Sequence, residues 1–118
     1  MLIFALILLF PSFSTAEPRD TYFDAEACYR SLRQNQSKIK YRHNWMRCIK
    51  KFKSVYNQDP AGPWAAAGLY KAAKMYQGLA KFSGKESDKK EALAIFQQIV
   101  AGYPESRYRQ KAVREIHS

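Results

Sequence analysis

The feature that most constrains the fold of this chain is an internal similarity at an offset of 44 residues. When the sequence is laid on itself with that shift, apolar residues meet apolar residues and Pro meets Pro. The matched pairs include Cys48 with Ala92, Phe52 with Phe96, Val55 with Ile99, Pro60 with Pro104, and Trp64 with Tyr108. A period of this size is typical of repeat proteins, whose stacked units bury a continuous core. The shift therefore predicts two equivalent units and the beginning of a third.

Apolar residues recur at helical spacing along most of the chain, and no stretch shows the sustained alternation of a strand. The second predicted helix has an apolar stripe formed by Tyr41, Trp45, Cys48, Phe52, Val55 and Tyr56. We therefore predict an all-α domain of five helices, over about residues 20–35, 41–57, 61–82, 88–103 and 108–116.

Local sequence patterns mark the ends of these helices. Pro63 suits the first turn of the third helix, where its missing N–H costs nothing. Asp88 with Glu91 resembles a capping box that opens the fourth helix, and Ser106 can cap the fifth. The third helix is rich in Ala and apolar around much of its circumference, which is typical of a central helix packed on two sides.

Within each unit a small residue is followed four positions later by an aromatic residue and eight positions after that by Pro. These residues are Cys48, Phe52 and Pro60 in the first unit and Ala92, Phe96 and Pro104 in the second. This spacing resembles the second helix of tetratricopeptide repeats, and Ala73 with Tyr76 matches the first helix. The loops inside the hairpins are longer than in the usual repeat of about 34 residues.

This resemblance implies a short right-handed solenoid of two helical hairpins plus a fifth helix. Repeat 1 then covers about residues 21–61 and repeat 2 about residues 62–105. Residues 106–118 form a half repeat or a capping helix.

A second resemblance covers about residues 22–116. The stretches "KYRHNWMRCIKKFKSVYNQDPAGPWAAAGLYKAAKMYQGLAKFSG" and "EALAIFQQIVAGYPESRY" are similar to the N-terminal helical region of exported bacterial N-acetylmuramoyl-L-alanine amidases. In that family a tetratricopeptide-like segment precedes a zinc-dependent catalytic domain, which is absent from these residues. The resemblance implies a peptidoglycan context and a non-catalytic role in binding a protein or a peptidoglycan-associated partner. The alternative is a freestanding periplasmic scaffold protein.

The N-terminal residues have the features of a signal peptide. An apolar run over residues 2–10 is followed by Ser14, Thr15 and Ala16, which fit the small-x-small rule for cleavage after Ala16. The run is shorter than the ~20 residues that span a bilayer as a helix. We therefore expect residues 1–16 to be removed and residues 17–118 to be exported to the periplasm or cell envelope, without a transmembrane span. An uncleaved anchor is the alternative.

Export changes the interpretation of the two cysteines. Cys28 and Cys48 are equidistant from residue 38, near the middle of the loop between the first two predicted helices. A helical hairpin would bring such positions level with each other, and an oxidising compartment would allow a disulfide. The alternative is two small, buried, free thiols.

The net charge of +10 is concentrated in one section, because residues 27–58 contain nine Lys and Arg and no Asp or Glu. Tyr41, Trp45 and Phe52 share one helical face there and suit a core better than a nucleic-acid surface, so nucleic-acid binding is disfavoured. Two interpretations remain: a solvated helix face, or a face that docks on an anionic envelope partner. The docking face would consist of Arg30, Arg33, Arg42, Arg47, Lys50, Lys51 and Lys53.

The residues that catalysis by zinc requires are missing. A hydrolytic zinc site needs three protein ligands and an open position, whereas the chain has His43 and His117 at opposite ends of the helical region. The five Gly residues are scattered and form no phosphate-binding loop. We therefore predict no catalytic residue, no metal site and no cofactor in this chain.

Overall fold

A computed structural model describes residues 17–118, and this part of the chain is all α-helical, as the sequence predicts. No strand occurs within residues 17–118, and the predicted signal peptide, residues 1–16, lies outside the described residues. The helices are α1 (Pro18–Arg33), α2 (Gln36–Ile39), α3 (Arg42–Gln58), α4 (Ala65–Ser83), α5 (Glu86–Gly102) and α6 (Arg107–Ile116).

The long helices pack in chain order, each against the next: α1 on α3, α3 on α4, α4 on α5, and α5 on α6. α1 and α3 run antiparallel, since Thr21 bonds Gln58 at one end and Cys28 meets Cys48 nearer the other. α2 is a single turn in the connection between them and contacts both helices.

The central helix is α4, which contacts α3, α5 and α6. Small residues let its backbone approach α3 closely. A Cβ added at Gly68 would lie 2.7 Å from the carbonyl oxygen of Phe52 and 2.8 Å from the Cβ of Val55. The prediction of a central, Ala-rich third helix is therefore confirmed, and its physical reason is close backbone contact.

The core lies between the helices in a continuous layer. Its largest fully buried apolar side chains are those of Phe52, Phe96, Ile49, Leu69, Met75, Ile99 and Val55. Burial of one such side chain stabilises a fold by roughly 1.5–3 kcal/mol, so these residues dominate the packing energy.

α3 and α5 begin and end at an offset of 44 residues, and each contains 17 residues. The turns that follow them are also alike. The amide of Gly62 donates to the Asp59 carbonyl at 3.0 Å, and the amide of Ser106 donates to the Tyr103 carbonyl at 3.1 Å. The Tyr103 hydroxyl donates to the Pro60 carbonyl at 2.6 Å and ties the two turns together.

Two features of the helix ends differ from the sequence prediction, and one agrees with it. α2 was not predicted; Asn35 caps it by accepting from the amides of Ser37 and Lys38. Pro63 lies in the turn before α4, which begins at Ala65. The cap of α6 is as predicted, because the Ser106 hydroxyl accepts from the amide of Tyr108.

The predicted capping box at Asp88 is wrong. α5 begins two residues earlier, at Glu86, and Asp88 is a buried residue inside its first turn. Its carboxylate accepts hydrogen bonds from Arg42 and Ser83. The tertiary partners explain the difference, because they hold the carboxylate away from the position of a cap. Tyr41 also departs from the predicted apolar stripe, because 58% of it is exposed.

Candidate functional site

The seven basic residues predicted to form a docking face divide into two groups. Arg42 and Lys51 make ion pairs within the fold. The guanidinium of Arg42 donates to both oxygens of Asp88 at 2.8 Å. Lys51 Nζ lies 2.6 Å from Asp24 Oδ2 at the surface. These two cations are already engaged by acids.

The Asp88 carboxylate is held by a complete set of donors. Asp88 is 1% exposed, and the Ser83 hydroxyl donates to its carboxylate at 2.7 Å. The hydrogen bonds from Arg42 lower the pKa of Asp88, against a smaller opposing effect of burial. Arg42 therefore fixes the start of α3 to the start of α5, which is an architectural task.

The other five cations have no ion pair within residues 17–118. Arg33 stacks over the ring of Tyr29 at 4.5 Å, and Lys53 lies 5.8 Å from the ring centroid of Tyr76. The remaining three are exposed: Arg30, Arg47 and Lys50. The docking face available to a partner is thus smaller than the sequence indicated.

The two cysteines form a disulfide that joins α1 to α3. The Cα atoms of Cys28 and Cys48 are 5.5 Å apart, within the usual range for such a bond. Cys48 is buried at 2% exposure, and Cys28 is half-buried. A cavity of about 90 Å³ beside the bond is lined by Lys38 and Arg47 among others.

Sequence reasoning missed a group of aromatic rings contributed by α1, by α4 and the residue before it, and by the first turn of α6. The ring of Trp64 lies 5.2 Å from Tyr22 and 5.6 Å from Phe23, and the rings of Tyr70 and Tyr108 are 5.3 Å apart. Such distances are favourable for aromatic pairs. The equivalence of Trp64 and Tyr108 at the 44-residue offset was the available hint. The other members come from helices far apart in sequence.

Three cations border this aromatic cluster. Arg19 lies 5.6 Å from the centroid of Phe23, and Arg107 lies 5.1 Å from that of Tyr108. The Nζ atom of Lys111 lies 5.5 Å from the same Tyr108 centroid. Burial, and then the neighbouring Tyr108 and Glu26, raise the pKa of Tyr22, so its hydroxyl stays protonated.

A cavity of about 600 Å³ lies between α4, α5 and α6. Its apolar part includes Leu93 and Phe96, and its polar part includes Glu115. The Glu115 carboxylate accepts from Lys74 at 2.9 Å and from Gln77 at 3.0 Å. Burial opposes the effect, but these hydrogen bonds lower the pKa of Glu115. The carboxylate is therefore a charged, positioned acceptor and not a proton donor.

The described residues contain no group of three His, Cys, Asp or Glu side chains that could hold a metal ion. Among the helices between residues 17 and 118, none combines the length and apolar character that crossing a bilayer requires. Comparison with protein-family models, with curated proteins and with solved structures gives no match to this chain.

Proposed function

We propose that this chain is a non-catalytic, tetratricopeptide-like module that binds a protein or a peptidoglycan-associated partner. In this interpretation α1 with α3 forms the first hairpin and α4 with α5 the second. α6 begins a third unit or caps the array, and the whole is a short right-handed solenoid. Repeat arrays of this class act by presenting extended surfaces to partners, so binding is the activity to expect.

One observation carries the proposal: α3 and α5 have the same length at an offset of 44 residues and are followed by the same turn. The residues that resemble the repeat signature occupy equivalent environments. Phe52 and Phe96 are at most 1% exposed, and Cys48 and Ala92 are each 2% exposed. Periodic packing of this kind is what a stack of like units requires.

The cellular context in this proposal comes from the sequence resemblance. It makes the chain the N-terminal part of an exported peptidoglycan amidase. The alternative is a freestanding periplasmic scaffold that docks an anionic envelope partner. Of the predicted docking face on α3, Arg47 and Lys50 are exposed and have no ion pair within residues 17–118, so they are available to such a partner.

Sedimentation with isolated peptidoglycan sacculi tests the binding role. We expect the purified chain to bind and to be released between low and high salt, because exposed charges are screened beyond about 10 Å at 0.1 M. The R47Q/K50Q variant should bind more weakly, and a matched R107Q/R109Q variant of α6 should bind as the parent does. Binding that ignores both salt and R47Q/K50Q contradicts a role for the basic face.

The coding sequence beyond residue 118 separates the amidase context from the scaffold. An open frame that encodes a zinc domain with His and Glu ligands supports the first. A stop codon, together with a monomeric chain that unfolds cooperatively by itself, contradicts it and favours the second.

A further inference from the structure

The connections inside the two hairpins meet at one edge of the molecule, which we call the loop edge. It is formed by residues 38–41 of the α1–α3 connection and residues 81–85 at the junction of α4 and α5. Ile39 and Lys40 from the first segment line the same cavity, of about 160 Å³, as Phe82 and Lys85 from the second. Residues more than 40 positions apart in sequence therefore share one surface.

Apolar side chains protrude at this edge. Phe82 is 59% exposed and Tyr41 is 58% exposed, more than Phe23 and Leu93, the other exposed large hydrophobic residues among residues 17–118. Ile39 lies beside them and is half-buried. More than half of Phe82 and of Tyr41 stays in water, so packing within the fold uses only part of their apolar surface.

The loop edge is held in place from beneath. The indole N–H of Trp45 donates to the carbonyl of Ile39 at 2.9 Å, and its ring centroid lies 5.7 Å from that of Phe82. The Arg42–Asp88 ion pair joins the two connections at 2.8 Å. These contacts hold the backbone of both segments, so the exposed side chains project from an ordered part of the fold.

Four exposed lysines surround the apolar residues: Lys38, Lys40, Lys81 and Lys85. None of them makes an ion pair within residues 17–118. No Asp or Glu occurs in residues 27–58 or 60–85. The acids next along the chain have their own cations, since Asp88 pairs with Arg42 and Glu86 with Lys89. The four lysines therefore leave the edge with a net positive charge.

We propose that the loop edge docks on the surface of a bilayer containing anionic phospholipids. Lysines near a membrane surface are attracted to anionic headgroups, and aromatic rings are favoured at the interface between headgroups and acyl chains. The edge supplies both on a protruding surface. Its cavity of about 160 Å³ is too small to receive the row of side chains through which a helix binds in a groove. A lipid surface therefore suits it better than a protein.

This inference goes beyond the proposed function and uses different residues. The sacculus experiment depends on Arg47 and Lys50 of α3, whereas the loop edge depends on the two connections. Loss of one activity therefore leaves the other measurable.

Vesicle sedimentation with the full chain tests the inference. The vesicles contain phosphatidylcholine alone or with about a third of phosphatidylglycerol, and the readout is the ratio of the two partition coefficients. Residues 1–16 are present in every variant, so their contribution is common to all. We expect K38Q/K40Q/K81Q/K85Q to lower the ratio by about fivefold for each lysine.

The matched control removes four exposed cations from α6 in R107Q/R109Q/K111Q/R114Q. We expect a much smaller decrease, because these side chains lie on α6, outside the loop edge, and the attraction between exposed charges and a membrane weakens over about 10 Å at 0.1 M salt. An equal decrease in both variants means that only net charge matters and overturns the proposal.

The Y41S/F82S variant tests the aromatic contribution at constant charge. We expect about tenfold weaker partitioning into the anionic vesicles, from the loss of apolar contact with the interface. Binding to soluble polyglutamate should not change, because the charge is the same, and a urea-unfolding midpoint close to that of the parent shows that the variant is folded. Unchanged vesicle binding, or an equal loss for polyglutamate, means that the edge recognises an acidic polymer and overturns the membrane assignment.

Discussion

The helices of the pair α1–α3 and those of the pair α4–α5 are held together by different interactions. In the pair α1–α3 a disulfide between Cys28 and Cys48 fixes the two helices. In the pair α4–α5 the equivalent of Cys48 is Ala92, which is buried at 2% exposure and cannot form a covalent link to the other helix. The central helix α4 supplies eleven buried residues of its own, whereas α1 supplies three.

Equivalent positions at the 44-residue offset, Cys48 and Ala92, thus serve two kinds of helix contact, one covalent and one of packing alone. The central helix α4 has neighbours on several sides, so packing alone holds α5 against it. α1 lies at the end of the described array, packs mainly on α3, and buries less apolar surface. A covalent bond compensates for this difference, since it restricts the unfolded chain and needs no further contact area.

The largest expected effect tests whether the two pairs are equivalent at their centres. We expect F52A and F96A each to lower the free energy of unfolding by about 3–5 kcal/mol, because each removes a fully buried ring. Urea denaturation at neutral pH measures both. Phe82, at 59% exposure, supplies the matched control, and F82A should cost less than about 1 kcal/mol. Unequal losses at the two buried positions would break the equivalence.

The disulfide is the clearest difference between the pairs. We expect C28A/C48A to lower the free energy of unfolding by about 3 kcal/mol, since the bond closes a loop with a sequence separation of 20. Hydrogen exchange should quicken more in α1 than in α5, because α1 has the smaller apolar interface. The variant places Ala at position 48, as the second pair has at position 92. An unchanged unfolding midpoint would show that packing alone suffices for α1.

The Arg42–Asp88 pair links the two regions. We expect R42Q to lower the free energy of unfolding by about 1–3 kcal/mol, because it leaves the buried Asp88 with Ser83 as its hydrogen-bonding partner. The pKa of Asp88 is lowered in the fold from 3.8, so its contribution is complete above that pH and is lost as the pH falls through the folded-state pKa.

The cost of R42Q should therefore be larger at pH 6 than at pH 3, as urea unfolding at the two pH values will show. K51Q, which removes the exposed pair with Asp24, is the control and should cost less than about 1 kcal/mol at either pH. A cost of R42Q that does not depend on pH would contradict the assignment of the effect to Asp88.

The smallest effects concern the two ends of the second pair. Gly84 ends α4 with a φ of 65°, and a Cβ there meets no atom within 4 Å. G84A should therefore destabilise by about 1 kcal/mol through backbone strain alone. Gly102 ends α5 without positive φ, and G102A should stabilise by about 0.4–1 kcal/mol by restricting the unfolded chain. Thermal unfolding of the two variants should shift in opposite directions, and shifts of one sign would refute this account.

Much of the fold could be predicted from periodicity and Pro placement, because the helices obey local rules. The all-α class, four of the five predicted helix positions to within two or three residues, and the Ser106 cap followed from the sequence. α2 could not be predicted, because it consists of a single turn whose cap, Asn35, lies in a polar stretch without periodicity.

The candidate sites were less predictable, because they join residues from distant parts of the chain. The sequence placed Arg42 and Lys51 on a docking face, but each meets a carboxylate of another helix. It treated Asp88 as a cap, although tertiary contacts bury it. It grouped Tyr41 with the core stripe, although the turn that precedes α3 leaves its ring in water.

The sequence by itself determined that this chain forms amphipathic helices separated by Pro-containing turns, with α3 and α5 alike at an offset of 44 residues. That information is local, because helical periodicity and turn residues act over a few positions. Only the tertiary structure decided which cations remain free and that Phe82 shares an edge with Lys40. It also showed which aromatic rings cluster around Trp64. Those results depend on how antiparallel helices bring together residues that are far apart in sequence. The local pattern of a short stretch does not contain that information.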